Sequence, residues 1–527
     1  MGFTWEFPYK AQRMPILAQN VVATSQPLAA EAGLNALRKG GNAVDAALAT
    51  AITLTVVEPT SNGIGSDAFA IVWDGERLQG LNASGRSPKA LTSDKFVGME
   101  AMPALGWDPV TVPGAVSAWV ALSERLGRLP FEELFVDAVR YARDGYPVSP
   151  ITARGWAGAA QRYAAFPSFV ETFLPEGRAP RAGERFCSPD HAKTLETIAA
   201  TRGEAFYRGD LAASIVDHAR ATGGLMSMDD LAAHEAEWVT PLSVGYRGYR
   251  LHEIPPNGQG LAALIALGIL EHLNIAQYPV DSAESVHLQA EAMKLAWAEA
   301  YRHIADPAWM EVSPEALLDD EFLAARAETV DMARAGHPSS ALPVGPDTVY
   351  LTAADAEGMM VSYIQSNYMG FGSGIVIPGT GISLQNRGAC FRTTPGHPNQ
   401  VAGGKRPFHT IIPAFVTRKG EPVMSFGVMG GAMQPQGHVQ MMVRIFDYDQ
   451  NPQVASDGPR WFVDEDQSLS LEVGVDPSVV DDLRARGHTI LAEQSPGRFG
   501  GAQLIYRLDS GYCAGTDWRK DGQAVGY

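Results

Sequence analysis

The stretch AGHPSSALPVGPDTVYLTAAD (residues 335–355) changes character in its middle. Residues 335–347 are dense in Pro, Gly and Ser, the composition of a linker. From Thr348 onward, TVYLTAAD alternates apolar and polar positions and reads as a strand. If the peptide bond between Asp347 and Thr348 is cut, Thr348 gains a free α-amine beside its own hydroxyl. One residue then holds both a nucleophile and a base for its proton. A free α-amine titrates at about 7.7–8.0, close to the working pH that suits a general base. The β-methyl restricts χ1 and helps hold the hydroxyl in one direction.

Downstream of this junction the pattern is strand-rich. TVYLTAAD, the turn AEG and MMVSYIQS (348–366) read as one hairpin; IIPAFVT, RKGE and PVMSFGV (411–428) read as a second. GHVQMMVRIFDYD (437–449) has helical spacing. Upstream, residues 21–24 read as a strand. A helix begins near Ser25–Pro27 and stops at Gly40–Gly41. Asn42 with Asp45 forms an N-cap pair for a second helix reaching Glu58–Pro59. GIGSDAFAIVWDG (63–75) is a Gly-rich turn entering a strand. Segments 111–143, 189–235 and 283–306 are mainly helical, and 245–256 is strand-like. The only strong candidate boundary is Gly336–Asp347. The expectation is therefore an α+β protein in which two pieces, 1–347 and 348–527, share one core.

Composition removes several function classes. A formal charge of −18 leaves no basic footprint for nucleic acid. Cys187, Cys390 and Cys513 form neither a disulfide framework nor a zinc pattern, and that usage fits a reducing, cytoplasmic setting. The start lacks the charged and apolar regions of a signal peptide. The longest apolar runs, 46–57 and 261–270, are too short to span a bilayer and read as buried helices. No His-Glu-x-x-His and no metal-like histidine spacing occurs. GFGSG does not fit the serine-hydrolase elbow, and no dinucleotide fingerprint precedes a strand–helix pair.

Four clusters carry candidate chemistry. SNYMGFGSG (366–374) is a Gly-dense turn that lets backbone approach a ligand, with Tyr368 a candidate substrate contact. LQNRGACF (384–391) presents Arg387, whose guanidinium can clamp a carboxylate bidentately. GGKRPFHTIIP (403–413) places His409 and Thr410 before an apolar strand; Arg406 after Lys405 rules out a phosphate loop. In GVMGGAMQPQGH (427–438), Gly430 and Gly431 stand between a strand and a helix and can aim N–H groups at a developing oxyanion.

In order and approximate spacing these motifs, with TSQPLAAEAGLNALRKGGNAVDAALA (24–49) and EPTSNGIGSDAF (58–69), resemble the γ-glutamyltransferase family of N-terminal-nucleophile hydrolases over nearly the whole chain. The resemblance implies a four-layer αββα fold and self-cleavage before Thr348. It implies that Thr348 is the nucleophile, that Ser366 supports it and that Gly430 and Gly431 form the oxyanion hole. The two pieces would stay together as a heterodimer, which could itself dimerise, and the resemblance implies no metal or organic cofactor.

The departures bear on substrate. The family's Thr-Thr-His reads Thr348-Val349-Tyr350 here, so a second hydroxyl is lost. Alignment on Pro88 puts Ser84 where γ-glutamyl enzymes hold the donor's α-carboxylate with Arg; Arg86, two residues on, would face the same way on a strand. Cys390 stands in place of the Asp that holds the donor's α-ammonium. His409 and Thr410 replace paired serines, and Arg387 replaces a neutral residue. This version resembles the branch with oxamate amidohydrolase and glutaryl-type cephalosporin acylases. An extra Arg and a missing Asp favour an anionic amide lacking an α-ammonium. Genuine γ-glutamyl transfer or glutathione hydrolysis is the second reading, and an unprocessed scaffold without turnover the third.

Overall fold

The computed structural model describes residues 13–338, 348–493 and 496–527. Two seven-stranded antiparallel sheets form its centre. In the first, the strands run Gln523–Gly526, Val21–Thr24, Val349–Ala354, Met360–Ser366, Asp67–Trp73, Leu78–Asn82 and Glu237–Val239. In the second, the order is Ile16–Ala18, Gly511–Thr516, Gly501–Leu508, Glu421–Met429, Ala414–Arg418, Tyr249–Glu253 and Leu242–Tyr246. Both expected hairpins are present, and strands from either side of residue 348 lie next to each other in both sheets.

Strand alternation sorts the side chains into layers. Val21, Ala23, Phe69, Ile71, Tyr350, Ala354 and Ile364 point into the space between the sheets, where they meet Phe415, Met429 and Ile505. Their sequence neighbours Val22, Ala68, Ala70, Leu351, Ala353 and Val361 point the other way, against the first helical layer. The outer face of the second sheet is covered by Gly260–Glu271, Ala283–His303 and Met433–Phe446. The result is the expected αββα sandwich.

Sequence and burial agree closely in the helices. Ala43–Val57 is apolar all round and buried along its whole length, and Asn42 and Asp45 form a reciprocal capping box at its start. Gly260–Glu271 is equally apolar and buried up to Leu270. No described helix is long and apolar enough to cross a membrane. Between the sheets, Tyr350 needs room for its ring. A Cβ at Gly427 would lie 2.5 Å from that ring, so the opposing strand must carry glycine there. Two polar pairs lie there: Thr352 Oγ1 lies 2.6 Å from Ser425 Oγ, and Tyr350 OH lies 2.7 Å from Ser362 Oγ.

Candidate active site

Three neighbouring strands of the first sheet finish at one end of the sandwich. Thr348 precedes Val349–Ala354, Ser366 closes Met360–Ser366, and Asp67 opens Asp67–Trp73 as the cross-strand partner of Ser366. Period-two alternation gives these residues the facing of Tyr350, Ile364 and Phe69, so all three look into the inter-sheet space. Thr348 is 1 % exposed. Its hydroxyl donates to Ser366 Oγ at 3.2 Å and accepts from Gln434 Nε2 at 3.4 Å. Ser366 Oγ also accepts from the Tyr368 N–H at 2.8 Å. Asp347 lies outside the described residues.

The second sheet supplies the opposite wall. Glu421–Met429 ends, Gly430 and Gly431 follow, and the helix Met433–Phe446 begins. Both glycines have positive φ, 117° and 58°, a region that side chains disfavour. Their carbonyls accept from Met433 N and Gln434 N, at 2.9 and 3.2 Å. Neither glycine N–H has an acceptor among the described residues. Two free N–H groups at a helix N-terminus form a site for developing negative charge. Gln434 ties this turn to Thr348, because its Oε1 accepts from Ile412 N at 2.9 Å while its Nε2 reaches the threonine.

Arg387 lies within the short 3-10 turn Arg387–Cys390 and is fully buried. Its Nη1 donates to Thr410 Oγ1 at 2.6 Å, and its guanidinium lies 4.5 Å over the Tyr368 ring. Nε and Nη2 meet no hydrogen-bond acceptor among the described residues; their neighbour is the weakly accepting thiol of Cys390. Burial raises that thiol's pKa, opposed by Arg387, so it remains neutral. Tyr368 holds a positive φ of 77°, a strained geometry for a residue with a side chain. That backbone places its N–H on Ser366 and its ring under Arg387, joining the Thr348–Ser366 pair to the cation.

His409 and Asp67 form a buried pair. Ile411 N donates to His409 Nδ1 at 3.3 Å, which puts the ring proton on Nε2, 3.1 Å from Asp67 Oδ2. Burial, with the charges of Arg387 and Arg406, keeps the imidazole neutral and its pKa well below the usual value. Burial pushes Asp67 up to about 7, against the pull of Arg387. Asp67 and Arg387 are thus the opposing charges of the site without sharing a hydrogen bond. Gln259 braces the same wall: its side-chain amide donates to the carbonyls of Thr410 and Gly431.

Arg86 stands apart from this cluster. The preceding strand ends at Asn82, so the facing argument that related residues 84 and 86 does not apply. The Arg86 side chain is 43 % exposed and donates to Asp306 at 2.7 Å, while Ser84 is buried and bonded to Asn82 and Asn257. Gln434, Asp67 and Gln259 were not singled out from the sequence. Gln434 meets Thr348 across 86 positions and Gln259 meets Gly431 across 172, and no local pattern marks such contacts.

Residues 29–527 match the profile of the family described as Gamma-glutamyltranspeptidase. The chain is 37 % identical over 519 residues to the glutathione hydrolase-like YwrD proenzyme of Bacillus subtilis, covering 96 % of this chain and 98 % of that one. It is 37 % identical over 516 residues to the oxamate amidohydrolase proenzyme of Klebsiella pneumoniae, covering 95 % and 97 %. The crystal structure of cephalosporin acylase from Bacillus halodurans superposes with a TM-score of 0.96 at 47 % identity, covering 100 % of this chain and 99 % of that one. The sandwich is therefore an N-terminal-nucleophile hydrolase fold, and the chain is an enzyme that belongs to the γ-glutamyltranspeptidase family.

Proposed function

We propose that this enzyme is an autoprocessed N-terminal-threonine amide hydrolase acting on small amides that carry a carboxylate, of the oxamate or glutaryl-amide kind. Scission between Asp347 and Thr348 yields pieces 1–347 and 348–527, and the interleaving of their strands keeps them together as a heterodimer. Relatives described as proenzymes support such processing. The freed α-amine takes the Thr348 hydroxyl proton as Oγ1 attacks the amide carbon. Ser366 and Gln434 hold that oxygen in place, and the N–H groups of Gly430 and Gly431 receive the oxyanion. The amide C–N bond breaks, the proton passes to the departing nitrogen, and an acyl ester remains on Thr348. Water then adds to the ester and releases the acid.

The observation that carries the substrate class is Arg387. A fully buried guanidinium with two nitrogens lacking an acceptor is costly until an anion pairs with it. Tyr368, Cys390, His409 and Thr410 surround or position it and none is an anion, while Asp67, the opposing charge of the site, shares no hydrogen bond with it. A ligand carboxylate supplies what is missing through a bidentate pair. A γ-glutamyl donor would also bring an α-ammonium, for which Cys390 offers no counter-charge. Glutathione hydrolysis is the second reading, favoured by the 37 % identity to the glutathione hydrolase-like relative.

A release assay on the processed protein, with oxamate, a glutaryl amide and a γ-glutamyl anilide side by side, tests the assignment. Turnover of the first or second well above the third is expected. Preference for the γ-glutamyl anilide would install the second reading.

A further inference from the structure

The oxyanion turn and the buried guanidinium are anchored at the ends of two neighbouring strands. Thr410, which holds Arg387, lies just before Ala414–Arg418, and Gly431 lies just after Glu421–Met429. These strands pair antiparallel, and their ladder stops at Ala414 opposite Phe426. Thr410 and Gly431 both lie past that point, where the ladder no longer sets the distance between them. Two glutamine side chains cross the gap instead. Gln434 accepts from Ile412 N at 2.9 Å. Gln259 reaches Thr410 itself: its Nε2 donates to the Thr410 carbonyl and, at 2.8 Å, to the Gly431 carbonyl.

Gln259 is fully buried and its own backbone is fixed. Its N–H donates to the His409 carbonyl at 2.9 Å, and His409 N donates to the Asn257 carbonyl at 2.9 Å, so the loop lies along the segment it braces. Both protons of the side-chain amide are used, while its Oε1 meets no donor among the described residues. A buried acceptor left unpaired is costly. The Gly431 carbonyl does not need the bond for its own satisfaction, because it already accepts from Gln434 N at 3.2 Å. The bond to Gln259 therefore adds a tie. One nitrogen in reach of two oxygens keeps them no more than about 6 Å apart, twice the length of an N–H···O bond.

An amide that carries a carboxylate spans the same interval. During attack its carbonyl oxygen lies at the N–H groups of Gly430 and Gly431, and its carboxylate pairs with Arg387, whose Nη1 is held by Thr410 Oγ1 at 2.6 Å. The path of bonds from guanidinium to oxyanion turn runs through Thr410 and Gln259. We propose that Gln259 is a positioning residue that selects the length of the carboxylate-bearing acyl chain, by fixing the distance from the Arg387 anchor to the oxyanion turn. The proposal rests on the carboxylate-amide reading given above. Without the bridge each end keeps its own bond, Gly431 to Gln434 N and Arg387 to the Thr410 hydroxyl, and only their separation is released.

The test measures kcat/KM of the processed protein on amides with a terminal carboxylate, from oxamate upward by one methylene at a time, with a γ-glutamyl anilide beside them. Wild type should favour one length over the next by about tenfold or more, the discrimination that one methylene gives in a fitted pocket. Gln259→Met removes both donated bonds at similar volume. The favoured length should then lose most, and the ratio between neighbouring lengths should fall to within about threefold. An unchanged ratio, with all lengths falling in proportion, marks a merely structural brace and overturns the proposal. So does a wild-type profile with no favoured length. Gln259→Glu keeps the shape but in either ionisation state holds at most one of the two carbonyls. It should flatten the profile as well, and it decides by the same ratio if Gln259→Met does not fold. Failure of both variants to fold or mature overturns a role confined to spacing. A wild type that prefers the γ-glutamyl anilide overturns the carboxylate-amide reading and the inference together, an outcome separate from an unflattened profile in the variants alone.

Discussion

The two halves of the site differ in how complete they are. Around Thr348, the hydroxyl has a donor in Gln434 and an acceptor in Ser366, and Ser366 is itself held by Tyr368 N. Some 20 residues further along the chain from Ser366, Arg387 is equally buried yet has two guanidinium nitrogens with no hydrogen-bond acceptor among the described residues. The first half is organised by the protein alone. The second is left unfinished in a place where unpaired charge is costly, and that marks where a ligand contributes its own group. On the proposed reading, the machinery for breaking an amide and the selection of which amide to break are separable in this molecule.

Substitutions on either side should separate them further. Thr348→Ala removes the nucleophile and should lower turnover by at least about three orders of magnitude, the scale seen when an acyl-transfer nucleophile is lost; steady-state kinetics on the best amide checks this. Arg387→Leu should lower kcat/KM for a carboxylate-bearing amide on the order of 100-fold, the loss of a buried charge-assisted pair. Calorimetry on the ligand-free variant should find it little less stable than wild type, since two buried donors without an acceptor have gone. A variant that is both active and much less stable would make Arg387 a structural residue.

Gln434→Leu keeps the volume but removes the donor to Thr348 and the acceptor of Ile412 N, and should lower kcat about tenfold with KM little changed, as expected for one hydrogen bond that orients the nucleophile. Cys390→Asp places a carboxylate beside Arg387. It should occupy the free guanidinium, weaken anionic amides and raise relative activity on a γ-glutamyl anilide, which a competition assay reads out.

The last effect, on stability and not on turnover, lies outside both halves. Glu58 is buried against Ser25 and Ser61, and burial raises its pKa from 4.5 to about 7. The folded state thus binds this proton more tightly than the unfolded one. Its contribution is fully present below about pH 4.5 and is lost as pH rises through 7. Glu58→Gln should flatten that part of the stability–pH curve, by on the order of 3 kcal/mol between the two limits, measured by denaturant unfolding across the range.

The sandwich was legible in the sequence because its signals are local: alternation in 348–366 and 411–428, the Asn42–Asp45 cap, and two helices apolar on every side. The glycine pair was legible for the same reason, since a strand-to-helix turn with positive φ leaves a compositional mark. Arg86 misled because the strand was assumed to continue past Asn82, whereas the chain leaves the sheet there and Arg86 pairs with Asp306. Gln434 and Asp67 were not legible, because their meaning lies in partners 86 to 342 positions away. A glutamine in the first turn of a helix looks like any other until the fold brings Thr348 to it.

The central claim is that Thr348 acts as an N-terminal residue released from its own chain. Intact-mass spectrometry of the purified wild-type protein and of Thr348→Ala, each assayed for amide release, tests it most directly. Wild type should give two chains, 1–347 and 348–527, with activity, and the variant a single uncut chain without it. Full amide turnover by an uncut wild-type chain, or a variant that is cut and active, would contradict the account.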